Sequence, residues 1–310
     1  MNELTKKFVL IYGDVFVDYI ADDQTNKQFT KYLGGATVNV AAGVARLGAS
    51  SSFITVSGDD ETSEFVRSEL IAEGVDLTFA QIVPEKRVSG VYVHLTENND
   101  RHFHTYVDET PDLQVNFSTL KQEVFQQASI FHFCSGTLFH PTARQTTRDI
   151  VNQMEKSHVL LSFDANIRPL RWESEELCRK IISSFFHQVD ILKLTEEELF
   201  FLTETKTREE GIRKLRDFQI PIVLITVGAE GTYIVIDDET IHVEVKKVIP
   251  VDTTGAGDAF MAGILSKINM NGKPNTKEEW IDYVSFGNRL GAICATKPGA
   301  LSAMPRAAEL

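Results

Sequence analysis

Residues 251–263 read VDTTGAGDAFMAG. The segment before them, IHVEVKKVIPV, alternates apolar and polar residues and predicts a strand. The segment from Asp258 onward, DAFMAGILSKI, carries small and apolar residues at helical spacing. Gly255, Ala256 and Gly257 then sit at a helix N-terminus, where unpaired amides and the positive end of the helix suit a phosphate. Asp258, in the first helical turn, has two readings. It is either a structural cap, stabilised by the helix dipole, or a base that takes the proton of a hydroxyl attacking phosphorus. The turn has no lysine, and GxxxxGKS or GxxxxGKT occurs nowhere in the chain, which excludes a P-loop.

A second glycine site, Gly34-Gly35-Ala36-Thr37-Val38-Asn39, also precedes a helical pattern. It does not meet GxGxxG, so a dinucleotide fingerprint is excluded. Either it is a tight turn, or its backbone approaches a small polar ligand with the Asn39 amide nearby. Asp164-Ala165-Asn166-Ile167-Arg168 ends a strand-like run at the edge where α/β folds bind ligands. It reads as a strand-ending turn with an ion pair, or as a place where Arg168 meets substrate or phosphate. His102 and His104 alternate on a strand pattern without a third ligand nearby, which favours a solvated face over a metal site. Cys134, at the end of a buried run, reads as an inert buried thiol.

The elements that must position these groups alternate. FVLIY, SSFITVSG, SIFHFCSG, HVLLSFDAN, VDILKLT and IPIVLITVG are short buried runs. Helical patterns lie at 38–47, 61–73, 141–156, 173–187, 196–202 and 207–218. Strand–helix alternation predicts βαβ units and a mostly parallel sheet. Stretches of two-residue period near 14–33 and 86–107, the second with a turn at Glu97–Asp100, break that rhythm and predict a small separate sheet.

The chain has 310 residues, which allows two domains or one large α/β domain, and 43% hydrophobic against 24% charged residues, enough apolar material for a large core. Its net charge of -13 argues against nucleic acid and anionic membranes as partners. Three widely spaced cysteines form neither a zinc pattern nor a disulfide framework, which suits a reducing cytoplasm. The apolar FVLIYG after Lys6-Lys7 is too short to span a membrane and has no cleavage pattern after it.

Together these residues resemble the ribokinase-like (PfkB) carbohydrate kinases along nearly the whole chain. DTTGAGDAFMAGIL is similar to the family's C-terminal signature and GGATVNVAAGVARLGA to its N-terminal one. FDANIRPLRW, DILKLTEEEL and ITVGAEGTYI are similar to internal segments, and FHFCSGTL with FDANIRPLRW is nearest to the fructokinases. The resemblance implies a single αβα domain over 1–310 with a parallel-rich sheet and a small β-lid formed by about 15–33 and 86–108. It implies Asp258 as the base and Gly255, Ala256 and Gly257 as the anion hole. It implies sugar contacts from Asp18, Gly34, Gly35, Asn39 and Tyr106, with Arg168 near substrate or phosphate. On the ATP side it implies Lys193, Glu198, Thr226, Gly228, Gly231 and, at the adenine pocket, Asn288. Glu198 would organise Mg²⁺ through water, and Asp252 and Thr254 would form part of a loop for a monovalent cation such as K⁺, completed around Cys294, Lys297 and Gly299. Thr195 stands where that pattern has Asn, Ala303 stands where it often has a hydroxyl, and AMPRAAEL stops short of an expected last helix. The lid can also carry a homodimer contact.

The expected activity is ATP-dependent phosphorylation of a sugar hydroxyl, with a catalytically inactive sugar- or nucleotide-binding homologue as the alternative from another class. The intact GAGD favours the enzyme. Among sugars, a phosphorylated acceptor needs a lysine near Gly35-Ala36-Thr37, and none is there. An acid such as 2-keto-3-deoxygluconate needs an arginine near Tyr106-Val107-Asp108, and that stretch has none, leaving Arg168. D-Fructose is therefore the expected acceptor and 2-keto-3-deoxygluconate the runner-up.

Overall fold

The structure is a computed structural model and describes residues 7–96 and 101–310. In chain order, β1 (Phe8–Tyr12) leads into the antiparallel pair β2 (Phe16–Ala21) and β3 (Phe29–Gly34), then α1 (Ala36–Arg46). Next come β4 (Ser51–Ile54), β5 (Val56–Ser57), α2 (Glu61–Ala72) and β6 (Gln81–Ile82), followed by a second antiparallel pair, β7 (Ser89–Leu95) and β8 (Arg101–Val107). After α3 (Gln122–Gln127), strands and helices alternate: β9 (Ala128–Cys134), α4 (Pro141–Lys156), β10 (Leu160–Asp164), α5 (Glu175–Ser183), β11 (Ile191–Thr195), α6 (Glu196–Thr203), α7 (Arg208–Leu215) and β12 (Ile222–Thr226). A hairpin, β13 (Thr232–Ile236) and β14 (Glu239–Val243), precedes α8 (Ala256–Asn271) and α9 (Lys277–Ala295).

The large sheet runs β14-β13-β12-β11-β10-β9-β1-β4, parallel from β12 to β4 and antiparallel only at the β13–β14 end. Period-two alternation splits its side chains between two cores. Val9 and Ile11 of β1 pack with α1, α8 and α9, whereas Phe8, Leu10 and Tyr12 pack with α3 to α7. Both faces are covered, giving three layers, and each fully buried aliphatic or aromatic contributes about 1.5–3 kcal/mol. The small sheet, β3-β2-β7-β8, stands apart from the large one, as the broken rhythm near 14–33 and 86–107 predicts. The turn expected at 97–100 lies outside the described residues.

Two expectations change. SSFITVSG is not one strand: β4 joins the large sheet, while β5 pairs with β6 in a separate two-stranded ladder. The strand expected over IHVEVKKVIPV ends at Val243, and residues 244–250 have no regular structure. The hairpin partner β13 and the long α9 were not legible as separate elements. The β13 run TYIVI directly follows a glycine-rich turn, and α9 carries Gly287 and Gly291 inside its helical pattern.

Candidate functional site

Gly255 is the N-cap of α8 with φ 76°, and a Cβ there would lie 2.7 Å from the Ala300 Cβ, so both conformation and space require glycine. α8 starts at Ala256, leaving its first amides without helical acceptors. Gly35 caps α1 in the same manner, with φ 116°. The two helices cross closely because Gly43 has no side chain: a Cβ there would be 2.7 Å from the Ala262 Cβ. Asn39 lies one turn before Gly43, and Asp258 one turn before Ala262, so the same crossing brings these two side chains together. Asn39 Nδ2 donates to Asp258 Oδ2 at 2.8 Å, and Asn39 Oδ1 is buried with no partner. Burial pushes the Asp258 carboxyl above the usual range, while the Asn39 hydrogen bond, Lys193 and Arg168 pull it back.

Beside this turn, Lys193 Nζ donates to both Asp164 oxygens at 3.0 Å, joining the C-terminal ends of β10 and β11. Burial raises the Asp164 carboxyl, against the pull of the Lys193 ammonium. A Cβ on Gly257 would be 3.1 Å from Lys193 Nζ, so the cation lies directly under the α8 turn. Glu198 closes the group. Its Oε1 accepts from Ile167 N at 2.6 Å and its Oε2 from Thr195 N at 2.8 Å. Burial raises this carboxyl too, with Lys193 as the main opposing influence. Asp252 folds the preceding loop: its Oδ1 accepts from Thr254 N and Thr254 Oγ1, and its Oδ2 from Gly299 N at 2.8 Å. The carbonyl oxygens of Thr254 and Ala300 both lie within 3.8 Å of Cys294 Sγ.

Asn39, Asp258, Lys193, Glu198, Asp252 and Thr254 line one cleft of about 1550 Å³ between the large and small sheets. Asp18 projects into it from β2. Its carboxyl is raised by burial, and a Cβ on Gly34 would be 2.7 Å from Asp18 Oδ2.

Residues 6–307 match the pfkB family carbohydrate kinase pattern. The chain belongs to the pfkB family of carbohydrate kinases. It is 32% identical over 302 residues to the fructokinase of Vibrio alginolyticus, with 97% of each chain covered. A crystal structure of the fructokinase of Vibrio cholerae O395 with fructose, ADP and calcium superposes with a TM-score of 0.86 at 33% identity, covering 97% of this chain and 96% of that one. The fructokinase of Xylella fastidiosa with bound ATP gives a TM-score of 0.88 at 25% identity, covering 98% and 97%. As a pfkB kinase, the protein is a phosphotransferase that acts on a sugar hydroxyl.

Of the residues singled out in the sequence of this pfkB kinase, Asp258, Gly255, Gly257, Asp18, Gly34, Gly35, Asn39, Tyr106, Arg168, Lys193, Glu198, Asp252 and Thr254 all line the cleft. Ala256 is the first residue of α8, between two of them. Thr226, Gly228 and Gly231 follow the next strand end, where Thr226 pairs in register with Thr195, but they are not part of the cleft wall. Asn288 does not reach the cleft. Its Oδ1 accepts from Thr232 Oγ1 at 2.6 Å and its Nδ2 donates to the Val243 carbonyl at 3.0 Å, so the amide ties α9 to the hairpin. Thr195 lines the cleft and caps α6 in a capping box with Glu198, its Oγ1 accepting from Glu198 N, which leaves the hydroxyl proton free to donate. Ala303 is fully buried and offers no oxygen.

Cys134 is buried, and burial pushes its thiol up to about 12, which suits an inert thiol. His104 stacks on His94 with centroids 3.8 Å apart on the exposed face of the small sheet. Among the described residues no group of three ligands could hold a metal ion. Asp164 forms the ion pair that the strand-ending reading allowed, and its partner is Lys193.

Two cleft residues escaped the sequence reading. Asp14, at the crossing from β1 to β2, has its carboxyl raised to about 6 by burial and by Asp108, against Lys86, Arg171 and His140. Arg171, in the turn after β10, reaches Tyr106 of the small sheet. Nothing in the local pattern of PLRW marks that contact, because its partner is 65 residues away.

Proposed function

We propose that the protein transfers the γ-phosphoryl group of ATP to a hydroxyl of D-fructose, giving fructose 6-phosphate and ADP. The observation that carries this reading is the Asn39–Asp258 hydrogen bond at the head of the GAG turn, since it fixes a carboxylate in the first turn of α8, beside the helix N-terminus. Asp258 takes the hydroxyl proton as the oxygen attacks phosphorus, and the amides of the turn from Gly255 to Gly257 receive the charge on the transferring group. Asp18, whose carboxyl burial raises, accepts from sugar hydroxyls, together with Asn39 and the Gly34-Gly35 backbone. Lys193 holds Asp164 and raises the local positive potential under the turn. The small sheet acts as a lid that excludes water over a single domain spanning 1–310.

Glu198 is the proposed organiser of Mg²⁺ through water. Both its oxygens already take a backbone N–H, which fixes the carboxylate and leaves lone pairs for water. Bound there, the ion would supply charge neutralisation on the ATP phosphates. The loop of Asp252 and Thr254 is the proposed place for K⁺. The nearness of the Thr254 and Ala300 carbonyls to one sulfur supports an oxygen-lined site there, without help from Ala303. Thr226, Gly228 and Gly231 are proposed on the nucleotide side, beyond Thr195.

A homodimer through the small sheet belongs to the same proposal. Tyr32 on its edge strand β3 is 49% exposed, and the mass in solution would test it. No helix among the described residues is long and apolar enough to cross a membrane. A cytoplasmic location is proposed from the three unpaired, buried cysteines.

Arg168 and Arg171 both line the cleft, and no carboxylate among the described residues lies within 4.0 Å of either. That favours 2-keto-3-deoxygluconate as a second reading. An ADP-release assay over a sugar panel at saturating MgATP separates the two. kcat/KM for fructose should exceed that for 2-keto-3-deoxygluconate and for fructose 6-phosphate by at least about tenfold, roughly 1.4 kcal/mol. Equal or reversed ratios reject fructose.

A further inference from the structure

Arg171 lies in the turn Pro169–Arg171 that follows β10, on the large-sheet side of the cleft. Its Nη2 donates to the Tyr106 hydroxyl of β8 at 3.0 Å. The guanidinium carbon stands 4.2 Å from the Tyr106 ring centroid and 4.2 Å from that of Phe139, with the Phe16 ring of β2 at 5.9 Å. Tyr106 and Phe16 belong to the small sheet, and Phe139 follows β9 of the large one. A planar cation is thus held between an aromatic of the body and an aromatic of the small sheet while donating to the phenol, a combination that suits the guanidinium fork better than the point charge of lysine.

The hydrogen bond also orients the phenol. With its oxygen accepting from Arg171, Tyr106 donates its proton to Asp108 Oδ2 at 3.2 Å. Asp108 terminates the same small-sheet strand, and its Oδ1 is buried without a partner, so this carboxylate depends on Tyr106 for its contact with the network. Phe16, Tyr106, Phe139 and Arg171 all line the cleft beside Asp18. None of the Arg171 contacts is to the α8 turn, to Lys193 or to Glu198.

We propose that Arg171 is a specificity-determining positioning residue of the acceptor site: it clamps Tyr106, and with it the small sheet, over the sugar end of the cleft. The inference rests on the reading above that Asp18 and Tyr106 face the sugar. Sugar recognition then depends on Arg171, and ATP recognition does not. Losing the clamp leaves Asp258, the GAG turn and Lys193 as they are, so the chemical step at saturating sugar is spared.

The test compares wild type with Arg171→Leu, Arg171→Lys, Tyr106→Phe and the double variant Arg171→Leu/Tyr106→Phe in steady-state kinetics. Arg171→Leu and Arg171→Lys each raise the fructose KM about tenfold, a change of about 1.4 kcal/mol. In both, kcat and the ATP KM stay within about twofold. Tyr106→Phe, which keeps the ring and removes the hydroxyl, raises the fructose KM several-fold and carries the test if Arg171→Leu fails to fold. The double variant is no more than about twofold worse than Arg171→Leu, because both changes break one clamp. A fructose KM within twofold of wild type in Arg171→Lys and Tyr106→Phe overturns the proposal, as does an ATP KM that rises in step or an independent multiplication of the two effects. If wild type prefers another sugar, the fructose assignment fails by itself, and the same variants are read on the preferred sugar with the same expectations.

Discussion

Asn39 and Asp258 lie 219 residues apart in sequence, yet the Asn39 amide donates to Asp258 Oδ2 at 2.8 Å where α1 and α8 cross. The bond stabilises the charged form of a carboxyl that burial otherwise pushes up. In Asn39→Ala that stabilisation is lost and the Asp258 pKa rises further. A base works when deprotonated, so the acidic limb of the kcat/KM–pH profile should move to higher pH. A limb that stays put or moves to lower pH contradicts the role given to this bond.

Asp18 faces the cleft, where burial raises its carboxyl and its two oxygens can accept from neutral hydroxyls. Asp18→Ala should raise the fructose KM about tenfold, about 1.4 kcal/mol, while the ATP KM stays within about twofold. An unchanged kcat/KM for fructose removes Asp18 from the acceptor site.

Gly255 and Gly272 cap the two ends of α8, both with positive φ, but they differ in surroundings. A Cβ at 255 meets Ala300, whereas a Cβ at 272 meets nothing within 4 Å. Gly255→Ala therefore has to shift the turn and should lower kcat about 10²-fold, the cost of a misplacement near 1 Å. Gly272→Ala carries only the left-handed strain and should keep kcat within about twofold. Similar kcat values in the two variants would mean that the turn does not hold the transferring group.

Much of the fold is local pattern and can be read from the chain. The apolar runs of β1, β9, β10, β11 and β12 and the caps Gly35 and Gly255 are set by neighbours within a few residues. The GAGD turn carries its chemistry in its own spacing, so its helix N-terminus is legible too. What sequence hides is long-range. IHVEVKKVIPV keeps its alternation past Val243, but β14 ends where its antiparallel partner β13 begins, with Val243 paired to Thr232. Asn288 makes two contacts that its sequence neighbours do not reveal, to Thr232 and to the Val243 carbonyl. Arg171 shows the same, an ordinary arginine made significant by a tyrosine from the other sheet.

The most direct measurement is kcat of Asp258→Asn with saturating MgATP and fructose, alongside its ATP affinity. The substitution preserves shape and removes basicity, while the amides of Gly255, Ala256 and Gly257 remain. The prediction is a kcat about 10²–10⁴-fold below wild type with ATP affinity nearly unchanged. A folded Asp258→Asn protein that retains more than about a third of wild-type kcat would contradict the assignment of Asp258 as the base.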